Sequence, residues 1–170
     1  MRDLMNCLIR LLGILRRSKS NYTAMIKIIS FLLLVLISNI SFSQDCVAGD
    51  CENGFGKTVY ENGNQYLGDF KNGLQEGNGI ATYINGTTYD GEWKEGKPHG
   101  KGTMNMAKMG IYTGEFKNGN IDGQGTMKNN QDEITYVGEW KNNQKHGLGK
   151  EYRKGIVVYE GQYLNGKAVK

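Results

Sequence analysis

The side chains that could act on a substrate are sparse, and their spacing says what they can do. Between Gln44 and Lys170 there is no serine, which excludes a serine nucleophile. Histidine occurs there at His99 and His146, each directly before a glycine, Gly100 and Gly147. Carboxylates recur at Asp69, Glu92, Glu115 and Glu139, each in the same local phrase. A reaction needs one distinctive constellation, and an acid repeated at intervals supplies the same group many times over. No catalytic residue, and hence no enzyme, is expected. Cys46 and Cys51 stand in Cys-Val-Ala-Gly-Asp-Cys, and an even pair in an exported chain reads as a disulfide. They have no further cysteine or histidine beside them in the sequence to complete a metal site, so no metal or cofactor is expected.

The interval itself sets the architecture. Tyrosines at 66, 89, 112, 136 and 159 are separated by 23, 23, 24 and 23 residues. Each opens a phrase such as Tyr89-Asp90-Gly91-Glu92-Trp93, whose alternate residues share one face of a strand. A turn follows, Lys-Asn-Gly at 71–73 and 117–119, Lys94-Glu95-Gly96, or Lys141-Asn142-Asn143. Asn and Gly tolerate the positive φ that tight hairpins require. A Gly-x-Gly stretch, as in Gly77-Asn78-Gly79 or Gly100-Lys101-Gly102, begins a return strand, and Asn62-Gly63 or Asn85-Gly86 turns into the next tyrosine. Asn85-Gly86-Thr87 also matches a glycosylation sequon, but the turn explains it. Each unit is therefore a hairpin, and the units stack into a single-layer antiparallel sheet of about eleven strands, all-β. His99 and His146 then lie two units apart, about 19 Å at ordinary strand spacing, too far to share a metal ion.

Tyr66, Phe70, Tyr89, Trp93, Tyr112, Phe116, Tyr136, Trp140, Tyr159 and Tyr163 form two columns on one face of that sheet. They read first as its hydrophobic layer, with the glycines leaving gaps for the rings. They are also the candidate binding face if some rings stay accessible. The other face carries the four recurring acids beside Lys71, Lys94, Lys117 and Lys141, an arrangement expected to form solvated cross-strand charge pairs.

The pattern Tyr-x-Gly-x-[Phe/Trp]-x-x-Gly-x-x-x-Gly-x-Gly resembles the MORN repeat (membrane occupation and recognition nexus), from about Gly49 to Gly166. Asn143 departs from it at a turn glycine, one extra residue lies between Gly125 and Tyr136, and the last copy lacks its Gly-x-Gly strand, as a terminal cap would. The resemblance implies a fold of stacked hairpins and roles in protein contact and, in some members, membrane-lipid association.

Ahead of the repeats, residues 1–24 are a basic, leucine-rich segment that can be read as an upstream start. Residues 25–43 hold one lysine, an apolar run and small residues at Ser41 and Ser43, the parts of a secretory signal peptide. Cleavage is expected between Ser43 and Gln44, making the protein periplasmic or extracellular, with anchoring through residues 26–40 as the alternative. Six of the 21 basic residues and one of the 17 acidic ones lie in 1–43, leaving 15 against 16. A domain so balanced has no polybasic footprint, so nucleic acid is not an expected partner. The sequence reads as a non-catalytic exported module (residues 44–170) for a protein partner, with a membrane surface possible. The alternatives are a glycan or cell-envelope binder using exposed rings, and an inert spacer.

Overall fold

A computed structural model of the chain describes residues 44–169. The segments 1–24 and 25–43, with the signal peptide, its cleavage site and the anchor alternative, lie outside the described residues. Twelve strands follow one another: β1 (Gln44–Gly49), β2 (Phe55–Tyr60), β3 (Gln65–Lys71), β4 (Leu74–Thr82), β5 (Thr88–Lys94) and β6 (Lys97–Met106), then β7 (Gly110–Lys117), β8 (Asn120–Lys128), β9 (Ile134–Lys141), β10 (Gln144–Arg153), β11 (Ile156–Leu164) and β12 (Lys167–Ala168). They form one antiparallel sheet in sequence order, and no helix occurs among the described residues. The strand count exceeds the expected eleven because the truncated last copy still contributes the two-residue β12.

Two kinds of turn alternate. After β3, β5, β7, β9 and β11 the chain reverses through two residues of positive φ, such as Asn72 (50°) with Gly73 (72°) and Asn118 (51°) with Gly119 (85°). That is the type I′ hairpin that the twist of the strands favours. Asn142 (48°) and Asn143 (65°) make the same turn without glycine, as the tolerance of asparagine for this region allows. These turns are tied to one another: Gly96 N donates to Gln75 O at 3.0 Å, Gly119 N to Pro98 O at 2.9 Å and Asn143 N to Ile121 O at 2.9 Å. At the opposite ends of the strands the turns are wider, except after β10, where Lys154 (53°) and Gly155 (75°) make the same two-residue reversal. Gly86 N donates to Tyr83 O and Tyr83 N to Thr87 O, both at 2.9 Å, while Asn85 Oδ1 accepts from Thr87 N at 2.9 Å.

A row of glycines crosses the sheet, one per strand from β1 to β11. Gly49 pairs with Gly56, Gly56 with Gly68, Gly68 with Gly79 and Gly79 with Gly91, and so on to Gly149 with Gly161. Tyrosine rings lie over this row. A Cβ on Gly102 would fall 2.5 Å from Tyr89 Oη, and one on Gly68 2.6 Å from Tyr66 Oη, so side chains are excluded there to make room for the rings.

Candidate functional site

Nine of the ten candidate rings are buried and Tyr159 is half-buried. Their arrangement is a continuous chain of edge-to-face contacts. Tyr66 meets Phe70 within its repeat and Trp93 in the next; Tyr89 meets Trp93 and Phe116; Tyr112 meets Phe116 and Trp140; Tyr136 meets Trp140 and Tyr163. Centroid separations run from 4.9 to 5.4 Å and interplanar angles from 77° to 89°. Each such contact adds about 0.5–1.5 kcal/mol to the burial of the rings themselves. The hydroxyls are used too: Tyr66 donates to Asp69 O at 3.0 Å, Tyr89 to Glu92 O at 2.8 Å and Tyr136 to Glu139 O at 3.0 Å. Burial away from water disfavours the phenolate and raises the hydroxyls of Tyr66 and Tyr89 well above the ordinary tyrosine range, and those of Tyr112, Tyr136 and Tyr163 to about 12.

The acidic column does something other than expected. Gly68 pairs with Gly79 and Phe70 with Gln75, so Asp69 faces a bulge spanning 76–78 in β4. Its carboxylate accepts from Asn78 N at 3.0 Å. Glu92 accepts from Lys101 N at 2.9 Å, Glu115 from Gln124 N at 2.9 Å and Glu139 from Leu148 N at 2.9 Å, each nine residues on. None of the four is ion-paired to Lys71, Lys94, Lys117 or Lys141. The bulge leaves amides without ladder partners, and a charged acceptor fixed over them wins against a mobile, hydrated lysine. The first glycine of Gly-x-Gly sits in this bulge at positive φ, 64° at Gly77 and 60° at Gly100. The two glycines of that motif therefore have separate causes, backbone conformation for the first and ring clearance for the second.

The bulge also decides what lies beside the rings. Gln75, Pro98, Ile121 and Lys145 stand opposite Phe70, Trp93, Phe116 and Trp140. Ala81, Met104, Met127 and Glu151 stand opposite Tyr66, Tyr89, Tyr112 and Tyr136. Both slots are apolar in the β7–β8 hairpin and charged in the β9–β10 hairpin. There Lys145 Nζ lies 3.1 Å from Glu151 Oε2 and 4.9 Å from the centre of the Tyr136 ring, and Tyr163 Oη donates to the same carboxylate oxygen at 3.2 Å. These bonds, the one to Lys145 first, hold Glu151 below the usual carboxylate range against the opposing effect of its burial. Trp93 Nε1 donates to Gly79 O at 2.9 Å, whereas the buried Trp140 Nε1 has no partner among the described residues. Simple alternation along the return strand does not show this interruption, because the bulge shifts which residues face the rings.

Tyr60, Tyr83, Met104, Met106 and Met127 pack partly buried against the rings, leaving a half-exposed apolar stripe on the aromatic side. Cys46 and Cys51 are at disulfide-bonding distance, with Cα atoms 5.9 Å apart, at the β1 edge. His99 and His146 lie on β6 and β10 with three strands between them. Among the described residues, no three His, Cys, Asp or Glu side chains converge on a metal site, and no helix is long and apolar enough to cross a membrane. A family model of the MORN repeat matches six stretches, residues 52–65, 66–88, 89–106, 112–131, 136–156 and 159–169. No curated protein matches the chain.

Proposed function

The chain belongs to the MORN-repeat family, whose members generally mediate protein or membrane binding, and from that premise we propose that it is an exported, non-catalytic module that holds a protein partner along the aromatic side of its sheet. One observation carries this reading. The rings of the two columns are consumed by one another, while Tyr83 just past β4, Met104 and Met106 on β6 and Met127 on β8 form a partly buried apolar stripe on the frame they make. Methionine suits such a surface, since its unbranched thioether adapts to a partner's shape. Sugar stacking needs open ring faces, and ring burial therefore favours a protein over a glycan. The β1-edge cysteine pair at disulfide distance fits an oxidising, extracellular-type compartment, and a leader ending near Ser43 would deliver the chain there.

The test is cross-linking capture from cell-envelope extract with the wild-type chain and with M104K and M127K chains. The reading expects each lysine to abolish capture of the same partner while the melting temperature stays close to wild type. Undiminished capture by both folded variants would move recognition off this face. Mass spectrometry of the exported protein should find Gln44 at its N-terminus; retention of Leu32–Ile37 would favour the anchored form.

A further inference from the structure

The apolar stripe beside the rings is not uniform, and at one position it lacks most of a side chain. Ala81, Met104, Met127 and Glu151 hold the same slot in β4, β6, β8 and β10, opposite Tyr66, Tyr89, Tyr112 and Tyr136. Tyr60, Tyr83, Met106 and Asn129 hold a second slot at the mouths of the wide turns. There Tyr60 N donates to Asn64 O, Tyr83 N to Thr87 O and Asn129 N to Glu133 O, each at 2.9 Å.

The ring surroundings of Ala81 and Met127 match. Ala81 pairs with Tyr66 and Tyr89, and Trp93 meets Tyr66 edge-on. Met127 pairs with Tyr112 and Tyr136, and Trp140 meets Tyr112 edge-on. Two like nests of rings therefore hold side chains of different length. Met127 extends through Cγ, Sδ and Cε, whereas Ala81 stops at Cβ. Over Ala81 lies an opening of about 350 Å³, whose walls include Tyr60, Tyr66, Gln75, Tyr83 and Trp93. That is near the lower end of small-ligand sites, about 300–1,000 Å³, and is room for one inserted side chain.

The chemistry of the walls says which kind of side chain. Their polar groups are largely spent on neighbours: the Gln75 side-chain nitrogen donates to Tyr60 Oη, Tyr66 Oη to Asp69 O at 3.0 Å and Trp93 Nε1 to Gly79 O at 2.9 Å. Burial, and after it the nearby Tyr60, holds the Tyr83 hydroxyl above the ordinary tyrosine range. No charged side chain lines the opening among the described residues, so a charged group inserted there would lose water without gaining a counter-ion. An apolar group loses nothing comparable. We propose, on the premise that the partner lies along this side of the sheet, that the opening over Ala81 is a socket for one methionine or leucine side chain of that partner. The inserted side chain completes in trans the packing that Met127 completes within the chain. An anchor seated in a desolvated pocket of this kind dominates the affinity of the surrounding contact.

N-acetyl-methionine methylamide is the probe and N-acetyl-glutamate methylamide the control. Each is titrated into the full chain while NMR follows the ring signals of Tyr60 and Tyr83 and the Ala81 methyl. The methionine probe should give saturable shifts at all three, and the glutamate control none. A81M fills the opening from within; it should keep the wild-type melting temperature or raise it, and weaken the probe severalfold at the Tyr60 and Tyr83 signals. A81V fills less and should weaken it less, and it decides the matter if A81M lowers the melting temperature. No saturable shift, equal shifts from both compounds, or undiminished binding by the folded Ala81 variants overturns the socket. Cross-linking capture separates this from the wider reading. Loss of the partner in M104K and M127K with full capture by A81M and A81V leaves the partner on the stripe and removes the socket. Full capture by all four folded variants removes both.

Discussion

The two ends of the sheet finish the same row of rings with different chemistry. At the first end, Val47-Ala48-Gly49-Asp50-Cys51 occupies the place of a Tyr-x-Gly-x-aromatic phrase, and Gly49 starts the glycine row. Cys51 is buried with the rings, and a Cβ on Gly56 would lie 2.8 Å from its Sγ, so sulfur sits over glycine where a ring sits elsewhere. At the last end Tyr159 and Tyr163 continue the row, but β12 covers only Tyr163 and Leu164, and the pair Lys145–Glu151 replaces apolar packing one hairpin before. A stack of like units always exposes its terminal faces, so termini must be closed by something the interior does not contain. One end uses a covalent link, the other uses charge. The first should answer to reductant and the second to the protonation of one carboxylate, two groups that the uniform middle does not use to close itself.

Alkali should produce the largest effect, because it reaches every repeat at once. The hydroxyls of Tyr112, Tyr136 and Tyr163 are raised from an ordinary 10.0 to about 12, first of all by burial. Unfolded chains then lose tyrosine protons near pH 10 that the folded chain keeps, so stability is full below pH 10 and falls as pH climbs toward 12. Denaturant midpoints measured across that window should drop steeply. A midpoint that stays level would mean the phenols are open to water. Next in size is the loss of one ring. Tyr112→Ala, in the middle of the row, is expected to cost about 3–5 kcal/mol, and Tyr159→Ala, half-buried at the end, clearly less. Equal losses in urea titration would contradict a row that weakens at its open end.

Much of this was legible in the residues. The tyrosine interval gave the hairpins, Asn-Gly and Asn142-Asn143 gave the turns, and the ring columns and glycine gaps followed from alternation. The role of the acids was not legible: Asp69, Glu92, Glu115 and Glu139 stand two residues from lysines, which suggests pairing, while their partners are amides nine residues on. A bulge cannot be read from alternation, since it is an interruption of alternation. Its trace in the sequence is the acid recurring at a fixed distance ahead of Gly-x-Gly. Lys145 and Glu151 are hidden for the same reason, as their faces are set only after the bulge.

The covalent end should respond by an intermediate amount. C46S/C51S, or reduction, removes a short-loop constraint that supplies about 2 kcal/mol. Hydrogen exchange should show β1 amides losing protection first, with β9–β11 unaffected. Simultaneous loss at both ends would mean that the sheet melts as one unit and that its ends are not separately closed.

The smallest effect belongs to the ionic end, and its sign is the informative part. Lys145 and Glu151 are 27% and 34% exposed, so they are partly stripped of water yet not fully deprived of it. Attraction within such a pair is offset by lost hydration, and apolar residues of similar volume often do as well or better. The neighbouring hairpin already shows the alternative, with Ile121 and Met127 in the corresponding slots. Lys145→Ile with Glu151→Met should therefore leave stability within about 1 kcal/mol of wild type, or raise it slightly. Glu151→Met alone should cost more, because it leaves the Lys145 ammonium over the Tyr136 ring without its carboxylate and takes away the acceptor of Tyr163 Oη. Acid should act in the same direction as that single change. The Glu151 carboxyl is held below its ordinary value, so its contribution is present above that value and is lost as pH falls through the lowered one. Below the ordinary carboxylate range the urea midpoint of the wild type should then fall relative to that of the double variant. A double variant that is markedly weaker than wild type at neutral pH would show that the ion pair, and not the ring beneath it, closes this end of the sheet.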